Sequence, residues 1–249
     1  IVPGEKTLEG PFGEWHGFLC FWIYWLGLAF VFTSALMSSA SMTVYAFGSR
    51  WVHLAEDRTF VFTLAMAALV VTIGANVAGI KFGKWLDNVG AACTIALCLA
   101  IAATAAVVFA RQGSATPFDL SLKWDWQRIN YFSQMAFALT GLELAPILAG
   151  EIRNPERDLP RSAFLASPLG AGYYIIATAA LLVILPPDRI SPLHGLAQSA
   201  HAASGFTGWG WISPVTAVLL FISSVGQLST FGASAGRLPY AVGAAGLLP

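Results

Sequence analysis

Phe137-Ala-Leu-Thr-Gly141-Leu-Glu143-Leu-Ala-Pro146-Ile-Leu-Ala-Gly150 places a carboxylate inside an apolar segment, between a glycine and a proline. Both flanking residues interrupt helices. Proline lacks an amide hydrogen and clashes with the carbonyl four residues back, which frees the backbone of Leu142, while glycine takes dihedral angles closed to other residues. A charge held at membrane depth costs about 2.5–3.5 kcal/mol on an insertion scale. Unpaired backbone survives at that depth only where it is buried in protein or lines a cavity. Discontinuous helices of this kind form the central sites of secondary transporters. The stretch therefore predicts a broken membrane helix, with a transport site at residues 137 to 146.

Outward from this stretch, the composition is 57% hydrophobic and 10% charged, which a soluble domain of 249 residues would not show. Charge-free runs at Gly17–Ser49, Thr59–Ile80, Asn88–Ala110 and Ser162–Pro187 each exceed the ~20 residues that cross a bilayer. Ile129–Gly150 spans once Glu143 is accepted inside it, and the tail from Gly210 to Tyr240 holds another uncharged run of helix length before Arg237. Six spans are predicted, at 17–48, 59–80, 88–110, 129–150, 162–186 and 210–240. The fold class is all-α, a polytopic transmembrane bundle forming a single domain over residues 1–249. Ile1 at the start and Gly246-Leu-Leu-Pro249 directly after a span read as the ends of an internal fragment, so that domain is expected to be incomplete.

Of the 13 acidic residues, only Glu143 sits deep in an apolar stretch on this reading. Asp87 falls with Lys81 and Lys84 in a short polar turn, and Arg50, His53, Glu56, Asp57 and Arg58 make another. At Glu151–Arg161 the chain turns, with Pro155 breaking the helix and Pro160 accommodated in the first turn of the next. Leu193, Leu196, Ala197 and Ala200 recur near helical spacing, which suits a short surface helix within the loop Pro186–Gly208. Cys20, Cys93 and Cys98 lie in spans and read as small packing residues rather than a disulfide framework. Basic residues divide seven to six between alternate loops, too evenly to orient the chain by charge.

Three segments carry a resemblance. Phe137 to Pro160, through Gly150-Glu-Ile-Arg153-Asn-Pro155-Glu-Arg157-Asp-Leu-Pro160, resembles the sixth span and following loop of the amino acid–polyamine–organocation permeases. Phe12-Gly13-Glu14 with Gly17-Phe18 and Tyr24-Trp25 is similar to the entry of that family's third span, and Arg237-Leu-Pro-Tyr240 with Gly246-Leu-Leu-Pro249 to the end of its eighth. The resemblance implies spans three to eight of a fold built from two inverted five-helix repeats, with broken first and sixth helices. It also implies that Glu151–Arg161 is cytoplasmic and that the protein sits in the cell membrane. Ala244-Ala245 depart from the Arg-Asp pair that many members carry before the final motif.

The resemblance implies an aromatic gate at Phe137, which closes over substrate, and cavity-lining aromatics at Tyr24, Trp25 and Phe231. Carbonyls of Ala138, Leu139 and Thr140, ahead of the Gly141 break, would form the negative end of a half-helix, suited to a substrate ammonium group. Glu143 has three open readings: a proton-exchanging acid, a paired structural acid, or a neutral hydrogen-bond donor. Burial favours its neutral form, and no basic residue lies within a turn or two to oppose that. Ser223 and Gln227, four apart, share one face of the last span, where they either face the cavity or bond a neighbouring helix. Asn76 reads as a polar contact between helices.

The function expected is secondary active transport of amino acids or related amines by alternating access, proton-coupled or by exchange. The predicted partners are a small-molecule substrate and the lipid bilayer, with no nucleic acid, no cofactor and no metal. An intramembrane enzyme using Glu143 as acid or base is the alternative. His16, His53, His194 and His201 fall in loops or at span edges, and no HExxH spacing occurs, so that alternative has little support and the chain is not expected to be an enzyme.

Overall fold

The computed structural model describes residues 14–77, 80–117, 126, 129, 141, 144–147, 149 and 152–244. Among these residues there are seven α-helices and no strand. Helix α1 is Glu14–Thr43, followed by short 3₁₀ segments at Val44–Phe47 and Ser49–Ala55. Next come α2 (Arg58–Val77), α3 (Ile80–Gln112), the one-turn α4 (Leu144–Ile147), α5 (Pro155–Ile184), α6 (Gly195–Thr207) and α7 (Ile212–Ala244).

Five helices are long and apolar enough to cross a membrane, at Trp15–Phe47, Arg58–Val77, Gly83–Gln112, Pro155–Ile184 and Ile212–Tyr240. The chain is a multi-pass membrane protein. The predicted span at 129–150 lies mostly outside the described residues. Apolar side chains surround these helices on nearly every side, as bilayer segments require. On α2, Val70, Val71, Ile73 and Val77 are exposed, and on α5 so are Phe164, Leu165, Leu169 and Ile175.

Helix α7 is the axis of the described bundle. Its most apolar window is 56% buried, against 28% or less for each of the other four spans. It packs on α1, α2, α3 and α6. Lipid is as apolar as leucine, so association of these helices rests on close packing and polar contacts rather than on the hydrophobic effect. The seam between α3 and α7 follows that rule: Gly90 and Gly226 touch backbone to backbone, and Thr94 and Ser223 share a hydrogen bond one turn on. The second seam joins α1 (Leu36, Ala40), α2 (Val61, Ala65, Ala68) and α7 (Leu228). Asp57 caps α2, its Oδ1 accepting from the Phe60 amide at 2.8 Å.

Several sequence expectations are corrected. Asp87 does not belong to a polar turn: it lies inside α3, which begins at Ile80. Ile80, Phe82, Trp85 and Leu86 extend the apolar run back past the charges, and a long lysine such as Lys84, which is exposed, can carry its charge out from a helix flank. Pro155 does not break a helix but starts α5, where its missing amide hydrogen is no loss, and Pro160 sits further along the same helix. Consequently Glu156, Arg157, Asp158 and Arg161 are helical. The short helix expected near residue 195 exists, yet it is no surface helix: Ala197, Ala200 and Ala203 are 2% exposed or less. Its alanines allow it to lie close against α7 and the 3₁₀ turn at Val44.

Candidate functional site

Gly141 has a φ of +121°, a conformation that only glycine adopts without strain. Its carbonyl accepts from the Leu144 amide at 3.1 Å, closing a turn from which α4 starts. A second turn follows, with the Ile152 amide donating to the Ala149 carbonyl at 3.1 Å. The backbone is therefore irregular on both sides of α4. Against it stands Phe231 of α7, whose Cζ would lie 3.9 Å from a Cβ on Gly141. Gly141 and Phe231, named from separate parts of the sequence, are brought together.

Tyr24 is half-buried on α1. Its neighbour Trp25 ties α1 to α7, the indole N–H donating to the Ala235 carbonyl at 3.1 Å. Phe137, Ala138, Leu139, Thr140 and Glu143 lie outside the described residues. Ser223 and Gln227 do share a face, joined at 3.4 Å. Ser223 is 4% exposed and bonds Thr94 of α3, so that polar pair links helices. Asn76 does the same, its Nδ2 donating to the carbonyls of Thr72 and Ser229 at 3.0 and 3.3 Å.

A cavity of about 300 Å³ opens beside α4, lined by Asn76, Lys84, Asp87, Ala145, Thr230 and Arg237 among others. Ala145 on this wall is four residues from the Gly141 turn. Asp87 is the residue that sequence reasoning missed. It stands beside the hydroxyls of Ser229 and Thr230, and its Oδ1 is buried without a hydrogen bond of good geometry. The signal available in the sequence was the helical spacing of Phe82, Trp85, Leu86 and the apolar run that follows, which puts Asp87 in the first turns of a helix long and apolar enough to cross a membrane.

At the other end of the bundle, His194 is 6% exposed and its Nδ1 lies 3.2 Å from Ser41 Oγ and 3.3 Å from Ser191 Oγ. Ser41 gives its single hydroxyl proton to the Ala55 carbonyl at 2.6 Å, so the proton shared with His194 belongs to Nδ1. Tyr45 packs against both His194 and His201, with ring centroids 5.6 and 5.8 Å away. Burial holds the His194 pKa below the ordinary 6.5, partly offset by the negative charge of Glu56. Among the described residues no group of three or more His, Cys, Asp or Glu side chains is placed to hold a metal.

The sequence matches the family model described as amino acid permease over residues 7–249. An uncharacterised transporter of Legionella pneumophila is 22% identical over 225 residues, covering 88% of this chain and 48% of the relative. A probable agmatine/putrescine antiporter of Lactococcus lactis is 22% identical over 83% of this chain and 44% of its own length. The human b(0,+)-type amino acid transporter 1 is 23% identical, over 86% of this chain and 44% of the relative. The chain spans about half the length of these curated relatives. No solved structure matches it.

Proposed function

The chain belongs to the amino acid permease family, and from that membership we propose that it serves secondary transport of amino acids or related amines across the cell membrane. The observation that carries the reading is the irregular turn at Gly141, set against Phe231 of the central helix. Such a break exposes backbone groups that must be satisfied, and a substrate ammonium group can satisfy carbonyls at the end of a half-helix. The carbonyls assigned to that task belong to Ala138, Leu139 and Thr140. Phe137 closes over the substrate, Tyr24 and Phe231 bound it, and one group of helices rocks against the other. Glu143, beside the break, carries the coupling proton.

The names of the relatives support the substrate class, since they specify transport of amino acids or of the amines agmatine and putrescine. The test is uptake of radiolabelled amino acids and amines by proteoliposomes holding the whole protein. Saturable accumulation of unmodified label is the expected result. Chemical conversion of the label, or an absence of saturable uptake across the panel, would overturn the reading.

A further inference from the structure

Asp87, Asn76 and Thr230 line the cavity beside α4, and Ser229 stands behind that wall against Asp87. Asp87 Oδ1 and Ser229 Oγ are both buried and neither makes a well-formed hydrogen bond. Ser229 is only 1% exposed. The Ser229 and Thr230 hydroxyls lie within reach of the Asp87 carboxylate, yet a carboxylate with one oxygen short of a well-formed hydrogen bond carries a free-energy cost that a cationic ligand could relieve. Asn76 adds a third oxygen. Its Nδ2 is committed to two backbone carbonyls, so its Oδ1 is the end that remains, and it stands 3.7 Å from the Cβ position of Gly83. Ser229 Oγ lies at the same distance from that point, so the two oxygens flank Gly83, which is itself on the cavity wall. Asp87 sits one turn after Gly83 on α3, and Thr230, on the cavity wall, supplies a fourth oxygen.

We infer that Asp87, Asn76 and Thr230, backed by Ser229, form an inner binding station for a primary ammonium group. An ammonium presents three N–H donors on one compact charge, and this wall offers a charged acceptor and neutral acceptors around it. Lys84 and Arg237 also line the cavity. A ligand anchored by its ammonium on Asp87 can therefore point a carboxylate toward them or extend toward Ala145 and the break. The absence of a Cβ at Gly83 leaves room between Asn76 and Ser229.

This inference rests on the transport reading for its substrate, and binding separates the two. The whole protein in detergent is titrated with L-leucine and with 1,4-diaminobutane, and the same preparations are reconstituted for uptake. The ammonium comes from a zwitterion in the first probe and from a diamine in the second, so the arms identify which source the station accepts. For whichever probe the parent binds, Asp87→Asn should weaken binding at least tenfold, Asp87→Glu should restore most of it, and the melting temperatures of all three should agree. Equal affinity in parent and Asp87→Asn would overturn the station. So would protection by sodium chloride, but by neither amine, that depends on Asp87, since the oxygens would then hold a metal cation. Equal loss in Asp87→Asn and Asp87→Glu, with lowered melting, would make Asp87 a packing residue and also overturn it. Binding that depends on Asp87 without uptake of any probe would leave the station standing and remove the transport reading.

Discussion

Gly90 on α3 and Gly226 on α7 meet so closely that a Cβ added to the first would stand 2.9 Å from the Cα of the second, and the reverse addition 2.8 Å. The other near atoms are backbone too, the carbonyl oxygens of Ser223 and Leu86, so nothing flexible can move aside. This contact fixes how near the two helices approach. It thereby holds Asp87 and Thr230, on opposite sides of the seam, at one cavity.

Gly226→Ala should lower stability by about 1–3 kcal/mol, the usual cost of forcing extra volume into a packed interface. Gly74→Ala provides the comparison, because nothing lies within 4 Å of its Cβ position and alanine gains up to about 1 kcal/mol over glycine in a helix. Melting in detergent should fall for the first variant and hold or rise for the second. Matching melting curves would mean that the helices cross further apart.

Gly141→Ala tests the break. At a φ of +121° a Cβ strains the backbone, typically by about 1–3 kcal/mol, and the cheapest relief is to straighten the turn. Uptake per molecule should fall well below that of the parent, with protein levels reduced less. A variant that transports as well as the parent would show that alternating access does not need this conformation.

Legibility in the sequence followed the scale of the physical signal. Long uncharged runs reveal spans because the bilayer demands about 20 apolar residues, and the described helices Glu14–Thr43, Arg58–Val77 and Ile212–Ala244 lie on three of those runs. The glycine before Glu143 announced a turn for the same kind of reason, since proline and glycine act locally. Asp87 was hidden because a charge count places it with Lys84, while its environment is set by Ser229 and Thr230, more than 140 positions away along the chain. The buried face of α6 was hidden likewise: alanines suit a surface helix and a tightly packed one equally, and only the arrival of α7 decides.

His194 gives the cluster around Tyr45 a pH dependence whose sign follows from burial. Its folded pKa lies below the ordinary 6.5, so the unfolded chain binds the extra proton first and stability falls as the pH drops through that value. The loss is complete once the pH is below the depressed folded value. Glu56 opposes the shift, while Tyr45 and His201 face the ring and Ser41 and Ser191 hold Nδ1. Melting measured from pH 7.5 down to 5 should decline more steeply for the parent than for His194→Asn, whose amide can donate in place of Nδ1 without titrating. Parallel declines would assign the acid sensitivity to other groups.

Glu143→Gln decides what the acid beside the break does. Glutamine keeps the shape of the protonated acid and removes the titration, so a proton carrier so changed should transport with a flattened dependence on external pH and near-normal melting. If Glu143 is half of a buried ion pair, the same change strands its partner's charge and should cost about 3–5 kcal/mol, visible as a large drop in melting temperature. The two outcomes differ in kind, because one moves a rate profile and the other moves stability. Uptake against external pH, measured beside thermal melting for parent and variant, separates them. An unchanged pH profile with unchanged melting would remove Glu143 from both roles, and Asp87, within the apolar helix Gly83–Gln112, would be the next carboxylate on which to seek the coupling proton.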